Sequence, residues 1–487
     1  MLDLKNKKKK WFRKKWVYVL LTLIIILNIV MIYETHKPMP KGTDYEGPLH
    51  SVEHAEFLYD LTYENKQGKE QNDQQIFPAV YKAIEQAQEF IVIDMFLFNH
   101  YYDGNVTYPP LSGKLTEALL AKKKENPDMP IIFISDEVNT TYNGHRSEEL
   151  DTLKKHGIDV IMTDLDKLRD PNWLYSSTWR TFFQWFGQSG TGWIRNPMAK
   201  EAPKVNVRSY LKLANIKANH RKVAATEKTA ILTSANPHDA SGFNSNIGFQ
   251  VSGNITNDIL STEKAVGSFS GSSVPFPEPE KKASVSIKNG PIQAQLLTER
   301  KVKKHAVSDI HSTKKGDSIW IAMFYLAERD IIAELKAAAE RGVQIKLILD
   351  PNKNAFGSKK IGMPNLPVAS ELHNLGKNKI SIRWYKTQNE QFHSKLLYIR
   401  KDQKSIVNGG SSNYTRRNLD NYNLESNMRF IADNDTPFVQ QVDRYFQTLW
   451  ENDGGTYTVG YDYYQDTIPV IKYIGYALQK ALRLETF

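Results

Sequence analysis

His220-Arg221-Lys222-Val223-Ala224-Ala225-Thr226, leading on to Ala230-Ile231-Leu232-Thr233-Ser234-Ala235-Asn236, is one of two such stretches in this chain. The other runs His393-Ser394-Lys395 and ends in Ser411-Ser412-Asn413. Of the 12 histidines, only His220 and His393 have a lysine two residues downstream. Residues i and i+2 of a strand share a face, so imidazole and ammonium are expected to project together, as attack on a phosphate requires. A single His-x-Lys is unremarkable in a lysine-rich chain, but two copies with the same sequel point to duplication.

The repeat extends well beyond the motif. Ser245-Asn246-Ile247-Gly248-Phe249 follows the first copy, and Ser426-Asn427-Met428-Arg429-Phe430 follows the second. Upstream, Ile91 to Phe96 parallels Ile319 to Phe324, and Ile131 to Asp136 parallels Ile345 to Asp350. Helix-like stretches Glu149 to Ile158 and Glu371 to Ile380 then lead into third strands. The order of strand, helix, strand, helix, strand and motif-bearing strand predicts an α/β fold of two pseudo-symmetric halves, each a mixed sheet flanked by helices.

The paired His-x-Lys and Ser-x-Asn signatures resemble the phospholipase D superfamily, and within it the bacterial cardiolipin synthase-type and related membrane proteins. The resemblance covers roughly residues 50 to 450 and implies one active site between two halves. It implies catalytic His220, Lys222, His393 and Lys395, with Ser234, Asn236, Ser411 and Asn413 supporting the substrate phosphate. The family places an Asp five residues after the Lys. Here Glu227 stands at that position in the first copy, while the second has Arg400, with Asp402 two residues later. Glu425 resembles the downstream acid that orients a histidine, and its first-half counterpart is read as Asn244. By the same resemblance His220 is the nucleophile and His393 the acid.

The residue types suit that chemistry. Neutral imidazole can attack phosphorus and divide one hard displacement into two easier ones. A second imidazole can protonate the leaving alcohol and later deprotonate the acceptor, help worth about 10²–10⁴ in rate. Lysines and asparagines would hold the non-bridging oxygens. Side chains suffice, so no cofactor or metal is expected.

Residues 1–15 hold eight Lys or Arg and one acid, and residues 16–33 (Trp16 to Tyr33) run uncharged. That pattern reads as a basic cytoplasmic tail and a transmembrane signal anchor, with no small-x-small cleavage site after it. The positive-inside rule then puts the catalytic body on the extracytoplasmic side of the cell membrane. Absence of cysteine excludes a disulfide framework. The net charge of +10 is largely the tail's, so the body is only weakly basic. This favours an anionic phospholipid substrate, and no nucleic acid partner is expected. An extracellular nuclease or phosphodiesterase of the same superfamily is the alternative, and an inactive scaffold a more distant one. Transfer and hydrolysis share one intermediate and look alike in sequence, and the oligomeric state leaves no mark.

The expected divisions are a first half at 48–254, a linker at 255–291, a second half at 292–454 and an amphipathic tail at 455–487. A segment rich in tryptophan, Pro171 to Pro197, interrupts the first half. In it Trp179, Phe182, Phe183 and Phe186 fall on one helical face, suited either to packing or to the lipid headgroup layer.

Overall fold

The computed structural model describes residues 2–52, 54–103, 106–278, 290–355, 358–360, 362–375 and 379–467. Two mixed sheets, each of nine strands among the described residues, repeat one strand order. In the first the order is Ala55–Asn65, Asn246–Val251, Ala230–Thr233, Lys222–Thr226, Ile91–Met95, Ile131–Ser135 and Asp159–Met162. In the second it is Ile292–Thr298, Ser426–Asp433, Lys404–Gly410, Lys395–Arg400, Ser318–Met323, Gln344–Leu349 and Ile380–Tyr385. In each, the last three strands are mutually parallel and the others antiparallel. The parallel strands Ile91–Met95 and Ile131–Ser135 are buried along their whole length, which explains why only Asp94 and Ser135 interrupt their apolar sequence.

The halves form one body. Phe57 meets Tyr445 at 5.2 Å between ring centroids, and Phe249 meets Phe430 at 5.1 Å. Tyr385 donates to the Thr62 carbonyl at 2.6 Å across the same boundary. Edge strands are exchanged as well. His50–Ser51, ahead of the first half, pairs with Ile292–Thr298 of the second sheet. Gly455–Thr456, beyond the second half, pairs with Ala55–Asn65 of the first, and Thr458–Gly460 then joins the second.

Two expected divisions are thereby corrected. Residues 455–460 are sheet edge rather than tail, because their backbone groups complete both ladders. The linker read at 255–291 begins with a helix, Ile255–Phe269, whose Ile255, Ile259, Leu260 and Val266 enter the core. Its amphipathic spacing outweighs the glycine and serines near its end. Residues 279–289 and the run Ile468 to Leu484 lie outside the described residues. The N-terminal helix spans Leu2–His36, and its stretch Lys14–His36 has a mean hydropathy of 2.5 with none of it buried, making it long and apolar enough to cross a membrane.

Candidate active site

Each motif histidine sits just before a strand start, where two short parallel bridges stitch the halves together. Asn219 pairs with Leu424, and Phe392 pairs with Ser245. The His220 amide donates to the Leu424 carbonyl at 2.9 Å, and the His393 amide to the Ser245 carbonyl at 2.8 Å. An aspartate at the end of a parallel strand fixes the residue before each histidine. Asp136 accepts from the Asn219 amide at 2.6 Å, and Asp350 from the Phe392 amide at 2.7 Å. Burial pushes both carboxyls up to about 7.

Both imidazoles line one cavity of about 250 Å³, with Asn236, Asn413, Phe96, Phe324 and Arg417 among its walls. Phe96 packs edge-on to His220 at 4.8 Å, and Phe324 to His393 at 5.0 Å. The two motif lysines are fully buried. Lys222 donates to the His220 carbonyl and Lys395 to the His393 carbonyl, each at 2.7 Å. Their ammonium groups stand 5.0 Å from the Phe96 and Phe324 rings.

The pseudo-twofold breaks at the partner of each imidazole. His220 Nδ1 lies 3.1 Å from the carboxylate of Glu425, and His393 Nδ1 lies 3.2 Å from Asn246 Oδ1. Each partner belongs to the opposite half, so neither half completes its own histidine. Ser411 and Asn418 also donate to Glu425, while Ser234 donates to Asn246 at 3.2 Å. The motif serines thus hold the groups that hold the histidines.

The electrostatics follow from packing four basic side chains in a dry site. Burial first, and then Lys222 and Lys395, hold both imidazoles well below their usual value. Lys222 is pushed down to about 7 by burial, and Lys395 well down by burial and by Lys222. Burial raises the Glu425 carboxyl to about 7 against the pull of Lys222.

Two sequence expectations need correction here, the place of Glu227 and the counterpart of Glu425. Glu227 is not at the site, because five strand residues carry it about 16 Å from Lys222. It accepts instead from the Gln88 and Glu89 amides at 2.9 and 3.3 Å. Arg400 pairs with Asp443, and Asp402 sits in an exposed turn whose carbonyl accepts from Asn434 at 2.9 Å. The counterpart of Glu425 is Asn246, not Asn244. Matching Ser245-Asn246 to Ser426-Asn427 slips the register by two residues, since the ladders align Gly248 opposite Thr233 and Asn427 opposite Gly410. Asn246 stands beside the first motif's sequel and Asp136 and Asp350 end the repeated upstream strands, all without a role legible in sequence, whereas Arg417 carried no signal.

Residues 307–450 match the family described as cardiolipin synthase, PLD-like domain. No curated protein matches the chain. Among solved structures, it is similar to phosphatidylserine synthase from Haemophilus influenzae at 12% identity, covering 90% of this chain and 96% of that one, with a TM-score of 0.52. It is also similar to polyphosphate kinase from Porphyromonas gingivalis (14% identity, 84% and 51% covered, TM-score 0.42) and to the phospholipase D family member Nuc from Salmonella typhimurium (18% identity, 34% and 97% covered, TM-score 0.25). The chain thus shares the doubled fold of a phosphatidylserine synthase over nine-tenths of its length, and within its second half residues 307–450 match the cardiolipin synthase, PLD-like domain family.

Proposed function

We propose that the protein is a membrane-anchored enzyme that cleaves the phosphodiester of anionic phospholipids through a phosphohistidine, passing the phosphatidyl group to a lipid alcohol or to water. The observation that carries this reading is the pair of imidazoles in one cavity, each clamped at Nδ1 by the other half. The clamps also support a division of roles. A carboxylate on the Nδ1–H of His220 enriches Nε2 and stabilises the positive ring that forms as Nε2 bonds phosphorus. The neutral amide oxygen on His393 leaves that ring the readier proton donor. His220 Nε2 therefore attacks phosphorus, the P–O bond to the leaving alcohol breaks, and His393, which takes up a proton as the anionic substrate binds, passes that proton from Nε2 to the alcohol. His393 then removes a proton from the acceptor, whose oxygen displaces Nε2. The exposed span Lys14–His36 supports the anchoring.

Lipid mass spectrometry on phosphatidylglycerol vesicles tests the reading. Cardiolipin and free glycerol identify transfer, phosphatidic acid identifies hydrolysis, and unchanged lipid with nicked nucleic acid in a parallel assay would overturn the lipid assignment.

Two further outcomes are expected. Glu425→Gln should lower kcat roughly 10²–10⁴-fold, because an amide that donates to Nδ1 forces the proton onto Nε2, the wrong tautomer for attack. A fold-neutral variant with unchanged kcat would remove Glu425 from the mechanism. The pH dependence should appear mainly in KM. Lys222 loses its proton as pH rises through about 7, while binding an anion restores it. KM for a soluble phosphodiester should therefore rise about tenfold per pH unit above neutrality for one such proton. A flat KM from pH 6 to 9 would contradict this.

A further inference from the structure

The apolar N-terminal helix does not stand clear of the protein along its whole length. Its partly covered residues Leu23, Leu27, Val30, Met31 and Glu34 recur at three- and four-residue steps, forming one face. The helix against which it packs is Trp173–Phe182. The ends are fastened together by polar contacts. The Asp170 amide donates to the Glu34 carbonyl at 3.0 Å, and the Glu34 carboxylate lies 3.3 Å from the Arg180 guanidinium. Arg180 holds Asp170 at 3.0 and 3.1 Å, and Asp170 holds Lys217 at 2.9 Å. Lys217 lines the catalytic cavity. Four linked charges thus run from the end of the apolar helix to the cavity wall.

Leu23 to Glu34 covers about 16 Å of helix rise, roughly half the hydrocarbon thickness of a bilayer. A helix packed beside that stretch shares its depth. The residues that follow are apolar and uncovered, with Trp185 75%, Phe186 64% and Trp193 67% exposed beside half-exposed Phe182 and Phe183. An aromatic patch of this kind is rare on a surface that meets only water. From Trp173 to Lys212 the chain also carries six Lys or Arg and one acid, Glu201; Arg180 and Lys212 are buried in ion pairs, which leaves Arg195, Lys200, Lys204 and Arg208 near the aromatic residues. Aromatic side chains with flanking cations match the headgroup layer of an anionic bilayer.

We propose that the segment from Trp173 to Trp193 is a second membrane contact, seated in the headgroup layer of the leaflet where the apolar helix ends. It holds the mouth of the catalytic cavity against anionic lipid, so substrate is drawn from that leaflet. The inference rests on the anchoring proposed above.

The chain has no cysteine, so single labels are unambiguous. An environment-sensitive fluorophore is placed on Phe186→Cys or Trp193→Cys in the full chain, reconstituted in phosphatidylglycerol–phosphatidylcholine vesicles. Ile25→Cys in the apolar helix and exposed Glu340→Cys on the second half are the references. The labels at 186 and 193 should be quenched severalfold more strongly than the one at 340 by lipids spin-labelled near the headgroup, and should resist aqueous iodide. Ile25→Cys should respond to deeply spin-labelled lipid. If positions 186 and 193 behave like 340 while 25 is deep, the second contact is overturned and the anchor stands. Protection from both quenchers would mean that protein covers the patch, which also overturns it. Loss of lipid quenching at position 25 too would overturn the anchoring along with it.

Discussion

Replacing His220 or His393 by Ala is expected to lower phosphodiester turnover by roughly 10³-fold or more, with thermal unfolding little changed. Each imidazole has a separate half of the reaction, bond formation to phosphorus or proton transfer at the alcohol, and no neighbouring group in the cavity can take over either. Stability should be nearly preserved because both rings line the wall of an existing cavity, so that truncation widens that cavity without opening a new void in the core. Residues that act as one unit lose activity non-additively, so the double variant should be no worse than either single one. Steady-state kinetics on a soluble phosphodiester decides the matter, and a single variant that keeps a tenth of its activity would mean that the halves do not share a site.

The second large effect is on stability. Arg221, between the two motif residues, is fully buried and directs its guanidinium at Glu299 (2.8 Å) and Glu263 (3.3 Å). Glu299 holds a left-handed backbone (φ 47°), and its carboxylate also accepts from the amides of Asp44, at 2.6 Å, and Glu425, at 3.1 Å. One cation therefore ties the first motif, the entry chain and the second half together. Arg221→Leu leaves these carboxylates buried without their cation and should cost about 3–5 kcal/mol. Burial already raises Asp94 and Glu263, and losing Arg221 raises Glu263 further, so the folded variant binds protons more tightly than its unfolded chain. Its stability should be best at low pH and fall as pH rises. Denaturant titrations at several pH values check this, and an unchanged midpoint would remove Arg221 from the account.

The two His-Lys pairs could be read directly because they recur, and the strand order followed because parallel strands need continuous apolar runs. What failed did so for physical reasons. A two-residue slip keeps strand side chains on the same face, so the false match of Ser245-Asn246 to Ser426-Asn427 looked sound and hid Asn246. Glu227 stands at the position of the family's supporting acid, yet a strand carries residue i+5 away from the site. The crossing of Glu425 to His220 and of Asn246 to His393 joins residues from opposite halves, as does the exchange of edge strands. Local patterns do not encode such contacts. Asp136 and Asp350 were quoted at their strand ends, but their work on the backbone amides of Asn219 and Phe392 needed coordinates to be seen.

In the proposed reaction one histidine carries a phosphatidyl group between the two halves. Rapid acid quench of the full chain during turnover of phosphatidylglycerol, followed by peptide mass spectrometry, tests it most directly. An adduct on His220 that is absent from His220→Ala is the expected result. Turnover with an adduct on His393 alone, or with none at any quench time, would contradict it.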